Sequence, residues 1–177
     1  MSSLRIHLDD SPYLHQKTKD VTFPLSQDVK ELIGDMKDTL CSTEYATGLA
    51  APQVGSGLNL FVYRTDEHPA PMVMINPTII KSADFSHGQC EMCLSYPKQI
   101  YKVVRAKRIT VRFYDEFGEH YVLKYRGFEA MIIQHEVDHL LGLTIKDRGQ
   151  KVKDEVAKQI LESIDRLEDT NEEEEIG

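Results

Sequence analysis

Cysteine is scarce in this chain, long apolar runs are missing, and basic residues are outnumbered. Only three cysteines occur in 177 residues. An odd and small number argues against a disulfide framework and for thiols in a reducing compartment. No stretch reaches membrane-spanning length, so a membrane partner is not expected. The opening "MSSLRIHLDDSPYLHQ" has no apolar core for a signal peptide, and it carries acids where a transit peptide avoids them. The expectation is a soluble cytoplasmic protein. Lys and Arg number 21 against 29 Asp and Glu, a formal net charge of -8. That balance argues against a phosphate-tracking surface, and no direct nucleic-acid binding is expected. With 41% hydrophobic residues the chain can bury one sizeable core and is too short for two ordinary domains.

The apolar pattern alternates between two periods. In "QDVKELIGDMKDTLCS", Val29, Leu32, Ile33, Met36 and Leu40 recur at helical spacing behind Asp28, taken as the N-cap. "TGLAAPQVGSG" is punctuated by Gly48, Gly55, Gly57 and Pro52 and reads as loop or irregular edge strand. Short β-rich runs follow: "LNLFVY", "PMVMINPTII", and "RITVRFY" with "HYVLKY" as a hairpin around Asp115–Gly118. "GFEAMIIQHEVDHLLG" returns to helical spacing, with Phe128, Met131, Ile132, Leu140 and Leu141 apolar. A last helix is expected over roughly 153–167, with Val156, Ile160, Ile164 and Leu167 on one side and a frayed "DTNEEEEIG" after it. The sum is an α+β fold with mainly antiparallel sheets packed around a central helix.

That central helix carries "HEVDH". His135 and His139 lie one turn apart on one face and can aim both imidazoles at a single ion, with Glu136 beside it to handle a proton. Two histidines leave a metal site incomplete. Ile145 stands where an extended zinc-peptidase motif would place a third histidine, and Glu155 or Glu162 would have to serve a long-helix peptidase. The third ligand is therefore sought upstream, among His7, His15, His68, His87, His120 and the cysteines. Cys90 and Cys93 form a Cys-x-x-Cys in "HGQCEMCLSYP". A redox pair is disfavoured because the segment runs into Pro97 and a strand-like stretch rather than a helix. One cysteine is expected to bind, and spacing does not choose between them.

Three segments together, "GLAAPQVG", "EMCLS" and "QHEVDH", resemble the peptide deformylase family in order and spacing, over about residues 5–148. The resemblance implies a metal-dependent hydrolase that takes the N-formyl group off the initiator methionine of newly made polypeptides and releases formate. It implies Cys93, His135 and His139 as ligands of one divalent ion, natively Fe2+ with Zn2+, Ni2+ or Co2+ as substitutes. Cys90 is then a small packed bystander. Glu136 is implied as the proton carrier, and the Gln53 amide and the Leu94 backbone N–H as oxyanion donors. Ala46, Gly48, Leu49 and Met92 are implied to line the path of an extended formyl-methionyl nascent peptide. Ala46 and Met92 replace glycines common in the family, and Ile100 replaces a frequent arginine. The expected division is a catalytic domain over 1–149 and a C-terminal helix with an acidic tail over 150–177. That segment holds four basic residues against ten acidic, a net of -6, so it is not expected to anchor the enzyme to ribosomal RNA. A metallopeptidase using "HEVDH" and a non-catalytic peptide or metal binder are the competing readings.

Overall fold

The computed structural model describes the backbone of residues 4–43 and 45–175 and the side chains of 4–43 and 45–164. A 3-10 turn over Pro12–His15 buries Leu14 and leads to helix α1, Gln27–Ser42. The cap is Ser26, two residues before Asp28: its hydroxyl accepts the Val29 N–H at 3.4 Å, and Asp28 falls inside the first turn, where its charge suits the helix dipole. The edge strand β1 is only Gly48–Ala50, and Pro52 turns the chain into a 3-10 segment, Ala51–Val54. Strands β2 (Leu60–Tyr63), β3 (Met72–Phe85), β6 (Ala106–Tyr114) and β7 (His120–Arg126) complete a five-stranded antiparallel sheet in the order β1-β2-β3-β6-β7. The β6–β7 hairpin closes on Asp115, whose carboxylate accepts the N–H groups of Phe117 and Glu119.

Every residue of β2 is buried, so both faces of the sheet are covered there. One face presents Leu60, Val62, Val73 and Ile75 to Ile33, Met36 and Leu40 of α1. The other presents Phe61, Met74, Ile109, Val111 and Phe113 to the helix α2, Gly127–Leu140, through Ala130, Ile132, Ile133, Val137 and Leu140. A second antiparallel sheet, β4 (Gln89–Glu91), β5 (Tyr101–Val103) and β8 (Gly149–Lys151), packs Tyr101 and Val103 with Cys93, Tyr96 and Ile145. Between α2 and β8 lies the single-turn helix α3, Ile145–Arg148. The α+β architecture around a central helix is the one expected.

The C-terminal helix α4 runs over Asp154–Glu175, past the predicted end and through most of the stretch expected to fray. Ile176 and Gly177 lie outside the described residues. Its inward side is also rotated from the expected one. Ala157 is buried and Ile160, Leu161 and Ile164 are half-buried, whereas Val156 is 43% exposed. The side chain of Leu167 lies outside the described set. The expected division between residues 149 and 150 falls inside β8, which is paired with β5.

Candidate metal centre

The buried helix α2 places His135 and His139 one turn apart, with ring centroids 5.0 Å apart. The loop after β4 brings Cys93 to them. One ligand atom each from Cys93, His135 and His139 lies within 4.8 Å of the other two, and the Cys93 Sγ is 3.3 Å from His139 Nε2. Such spacing is what a divalent ion needs, since metal–sulfur and metal–nitrogen bonds of about 2.0–2.3 Å put neighbouring ligand atoms a little over 3 Å apart. The donor set of one thiolate and two imidazoles is that of an open transition-metal site. Cys90, in contrast, is exposed on β4 rather than packed. Strand alternation explains the difference: β4 turns Glu91 inward, so its neighbour Cys90 points out.

Behind the ligands stands a charged frame. His135 Nδ1 is 2.9 Å from Glu91 Oε2, which fixes that nitrogen as the proton-bearing one and leaves Nε2 free for the ligand cluster. Arg105 grips Glu91 through two bonds, Nε to Oε1 at 2.7 Å and Nη2 to Oε2 at 2.9 Å, and gives its third nitrogen to Asp138. Arg148 closes the other side of Asp138 at 2.7 and 3.0 Å. Burial alone would raise the Glu91 carboxyl, but the Arg105 and His135 hydrogen bonds and the Arg105 charge outweigh it and hold the pKa at about 2. Burial drives His139 well below the ordinary imidazole value, which favours the neutral ring a ligand requires. For His135 burial acts in the same direction, but bonds to Cys93 and Glu91 reverse it and raise the ring well above the ordinary value.

Glu136 lines a cavity of about 340 Å³ together with Cys93 and His135. Burial raises its pKa to about 7, with the nearby Glu91 charge adding to the effect and His135 opposing it. Its Oε2 and the His139 Nδ1 are buried with no hydrogen-bond partner among the described residues. An unpaired buried carboxylate oxygen beside three convergent ligands is a proton acceptor held ready for a substrate or water. The Gln53 amide is oriented by its neighbours: its Oε1 accepts the Ala50 N–H at 2.9 Å, which turns Nε2 toward Cys93 Sγ at 3.5 Å and Ser95 Oγ at 3.3 Å. The Leu94 N–H enters no backbone hydrogen bond among the described residues, and Leu94 lines the same cavity.

Sequence reasoning placed Ala46, Gly48 and Met92 on this cavity, and all three line it. Leu49 is fully buried in the α1-side core instead, because inward alternation along β1 sends its side chain away from the cavity. Ala46 does not occupy a positive φ; the left-handed turn falls one residue earlier, at Tyr45 with φ 59°. The methyl group at 46 is therefore free of backbone strain. Ile100 is buried at 1% exposure and contributes no polar group to the mouth. Further residues that line the cavity include Tyr45, Thr47, Lys98, Phe128, Met131 and Ile132, and Cys90, expected as a packed bystander, also borders it. Phe128, Met131 and Ile132 precede His135 by seven, four and three positions, so helical spacing places them on the ligand face, although apolar character alone does not distinguish a cavity wall from core. Phe128 is in fact 56% exposed at the mouth.

Comparison with known proteins follows the same residues. The family model for polypeptide deformylase matches residues 3–155. A peptide deformylase of Borreliella burgdorferi is 42% identical over 112 residues, 63% of this chain and 68% of its own. The crystal structure of peptide deformylase from Thermotoga maritima superposes with a TM-score of 0.79 at 33% identity, covering 85% of this chain and 99% of that one. A Met-Ala-Ser-bound peptide deformylase from Acinetobacter baumannii superposes with a TM-score of 0.75 at 27% identity, covering 83% of this chain and 98% of that one.

Proposed function

The chain belongs to the peptide deformylase family, whose activity is removal of the N-formyl group from newly made polypeptides, and from that premise we propose how its own residues do so. Cys93, His135 and His139 hold one divalent ion, and the mutual approach of their ligand atoms within 4.8 Å carries this reading. A divalent ion there supplies Lewis acidity, polarising the formyl carbonyl and lowering the pKa of water toward neutrality. Ferrous iron is the native occupant in this reading. A set of one thiolate and two imidazoles also accepts zinc, nickel or cobalt.

Glu136 takes the proton of the attacking water through its unpartnered Oε2 and passes it to the departing amine. The Gln53 Nε2 and the Leu94 N–H donate to the oxyanion that develops on the formyl oxygen. Gln53 is suited to the role because the Ala50 N–H already occupies its carbonyl, so the amide needs no reorientation during the reaction. The substrate is a formyl-methionyl nascent peptide met in the cytoplasm. Among the described residues β1 pairs only with β2, so its other edge is open to an extended peptide that adds a strand, with main-chain bonds indifferent to sequence beyond methionine. The relative from Acinetobacter baumannii was crystallised with Met-Ala-Ser bound, which supports a peptide beginning with methionine as the ligand class. Phe128, Met131 and Ile132 receive the methionine side chain, Met92 covers the entrance, and Leu49 acts through its backbone, its side chain being core. The catalytic unit extends through β8, and α4 is appended to it.

The direct test is formate release from a formyl-methionyl tripeptide by metal-quantified protein, run beside cleavage of an internal peptide bond. Formate release that scales with bound metal supports the proposal. Internal cleavage without formate release would replace it with a metallopeptidase.

A further inference from the structure

The chain-wide charge of -8 is unevenly distributed. The sheet face covered by α1 at β1–β3 meets its core at Tyr114 of β6 and continues beyond it onto the rest of β6 and β7, whose residues on this face fall outside that core. Cross-strand register there defines three successive rows: Thr78–Arg112–Val122, Lys81–Thr110–Lys124 and Ala83–Arg108–Arg126. Of these nine positions five are cationic and none is acidic. Arg112, Lys81, Lys124, Arg108 and Arg126 are all exposed, with 66% of the Arg108 side chain accessible. Asp84, beside the third row, pairs with Arg108 and is the one acid in an ion pair with these five among the described residues. The opposite face of the same strands is the buried Ile109, Val111 and Phe113 surface against α2. Arg108 and Arg126 are direct cross-strand partners, and like charges so placed destabilise a sheet. Core packing on the far side does not require them.

We propose that this outer face of β3, β6 and β7 is a docking surface for the phosphodiester backbone of RNA. Rows two residues apart are about 7 Å apart and adjacent strands about 4.8 Å, so the five cations span roughly 14 by 10 Å. Along about 14 Å of a nucleic-acid strand, at about 3.4 Å per nucleotide, lie some four phosphates. Three of the five cations are arginines, whose planar forks engage phosphate oxygens in pairs, and Thr78 and Thr110 add neutral hydroxyl donors between them. Val122 and the small Ala83 are the only apolar positions of the nine, and they lie in different rows, too little apolar surface to insert into a bilayer. Newly made polypeptides leave a particle rich in exposed RNA, which makes RNA the polyanion this enzyme meets at its work. The catalytic cavity shares no lining residue with these rows, so docking leaves its mouth open. The acidic balance of the remaining surface restricts attachment to this one orientation. The chain average that argued against a nucleic-acid partner thus conceals a local exception.

The test is fluorescence anisotropy of the metal-loaded enzyme with a labelled 20-base-pair RNA duplex, of about the length of two helical turns, from low to physiological salt. Binding should weaken steeply with salt, with a slope of log K on log salt of about -4 for four to five phosphate contacts. Replacing Lys81, Arg108, Lys124 and Arg126 by Gln should weaken binding at least about tenfold and flatten the slope, and Arg126→Gln alone should flatten it by about 1. A control with Lys17, Lys19, Lys30 and Lys153 changed to Gln, an equal change in net charge, should bind like the parent. Formate release from a short formyl-methionyl peptide should be unchanged in all variants, which separates this proposal from the catalytic assignment. The proposal is overturned by equal RNA binding of the sheet-face variant and the parent, by equal weakening in the control, by absence of binding at low salt, or by tighter binding to phosphatidylserine vesicles than to RNA.

Discussion

Gly48→Ala should cripple catalysis through Glu136 while leaving the fold and the metal in place. A Cβ built at Gly48 would sit 2.2 Å from Glu136 Oε1, 2.7 Å from its Cδ and 2.9 Å from its Cγ. Ordinary contact lies near 3.4 Å or beyond, so the carboxylate must retreat by about 1 Å, twice the roughly 0.5 Å within which catalytic groups must be held. A misplacement of about 1 Å costs on the order of 10²-fold in rate. Backbone strain plays no part, since Gly48 is absent from the positive-φ residues and lies in an extended strand that alanine accepts. The metal ligands come from α2 and the loop after β4, not from β1, so metal content should match the parent. The assay is formate release at saturating formyl-methionyl peptide, with metal measured on the same sample. A double-mutant comparison sharpens it: in a Glu136→Ala background the added methyl should cost little more, because its target is gone. A metal-loaded Gly48→Ala enzyme within about threefold of the parent would refute the steric coupling, as would two losses that multiply independently.

Glu136→Ala should retain metal and lose about 10²–10⁴-fold in turnover, measured by formate release. Because only the deprotonated Glu136 carboxylate can accept a proton, kcat/KM should rise with pH and level off at an apparent pKa no higher than about 7, the value burial imposes before a cation lowers it; a profile still rising well above that value would reassign the base. Cys93→Ser should lose metal and activity together, while Cys90→Ser, at an exposed β4 position, keeps both, as elemental analysis would show. Glu91→Gln removes the carboxylate that Arg105 and His135 hold at about 2. The shift from its ordinary value is worth about 3 kcal/mol, fully present above about pH 4.5 and lost as pH falls toward 2. The variant's melting temperature should thus lie well below the parent's at neutral pH and converge with it in acid; parallel curves would deny the linkage.

The elements legible in the sequence are those whose signal is local. The periodic runs of α1 and α2, the hairpin closed by Asp115 and the edge character of "GLAAPQVG" each follow from spacing or from Gly and Pro within a few residues. The pairing of His135 with His139 is likewise intrinsic to the helix, since residues four apart share a face. Cap and end positions were less legible: Ser26 and Asp28 are both competent N-caps, and helical propensity carries α4 through an acidic stretch that composition alone marks as a tail. Tertiary structure decided what depends on residues distant along the chain. It exposed Cys90 by the alternation of β4, buried Cys93 in the loop that follows, and wrapped Glu91 between Arg105 and His135. It also set Gly48 against Glu136 and turned an apolar helix stripe, Phe128, Met131 and Ile132, into a cavity wall. The five cations of β3, β6 and β7 are scattered between positions 81 and 126 and become one surface only when three strands align in register. Charge and composition are sums over a chain, whereas a site is set by which side chains the fold turns to the same point in space.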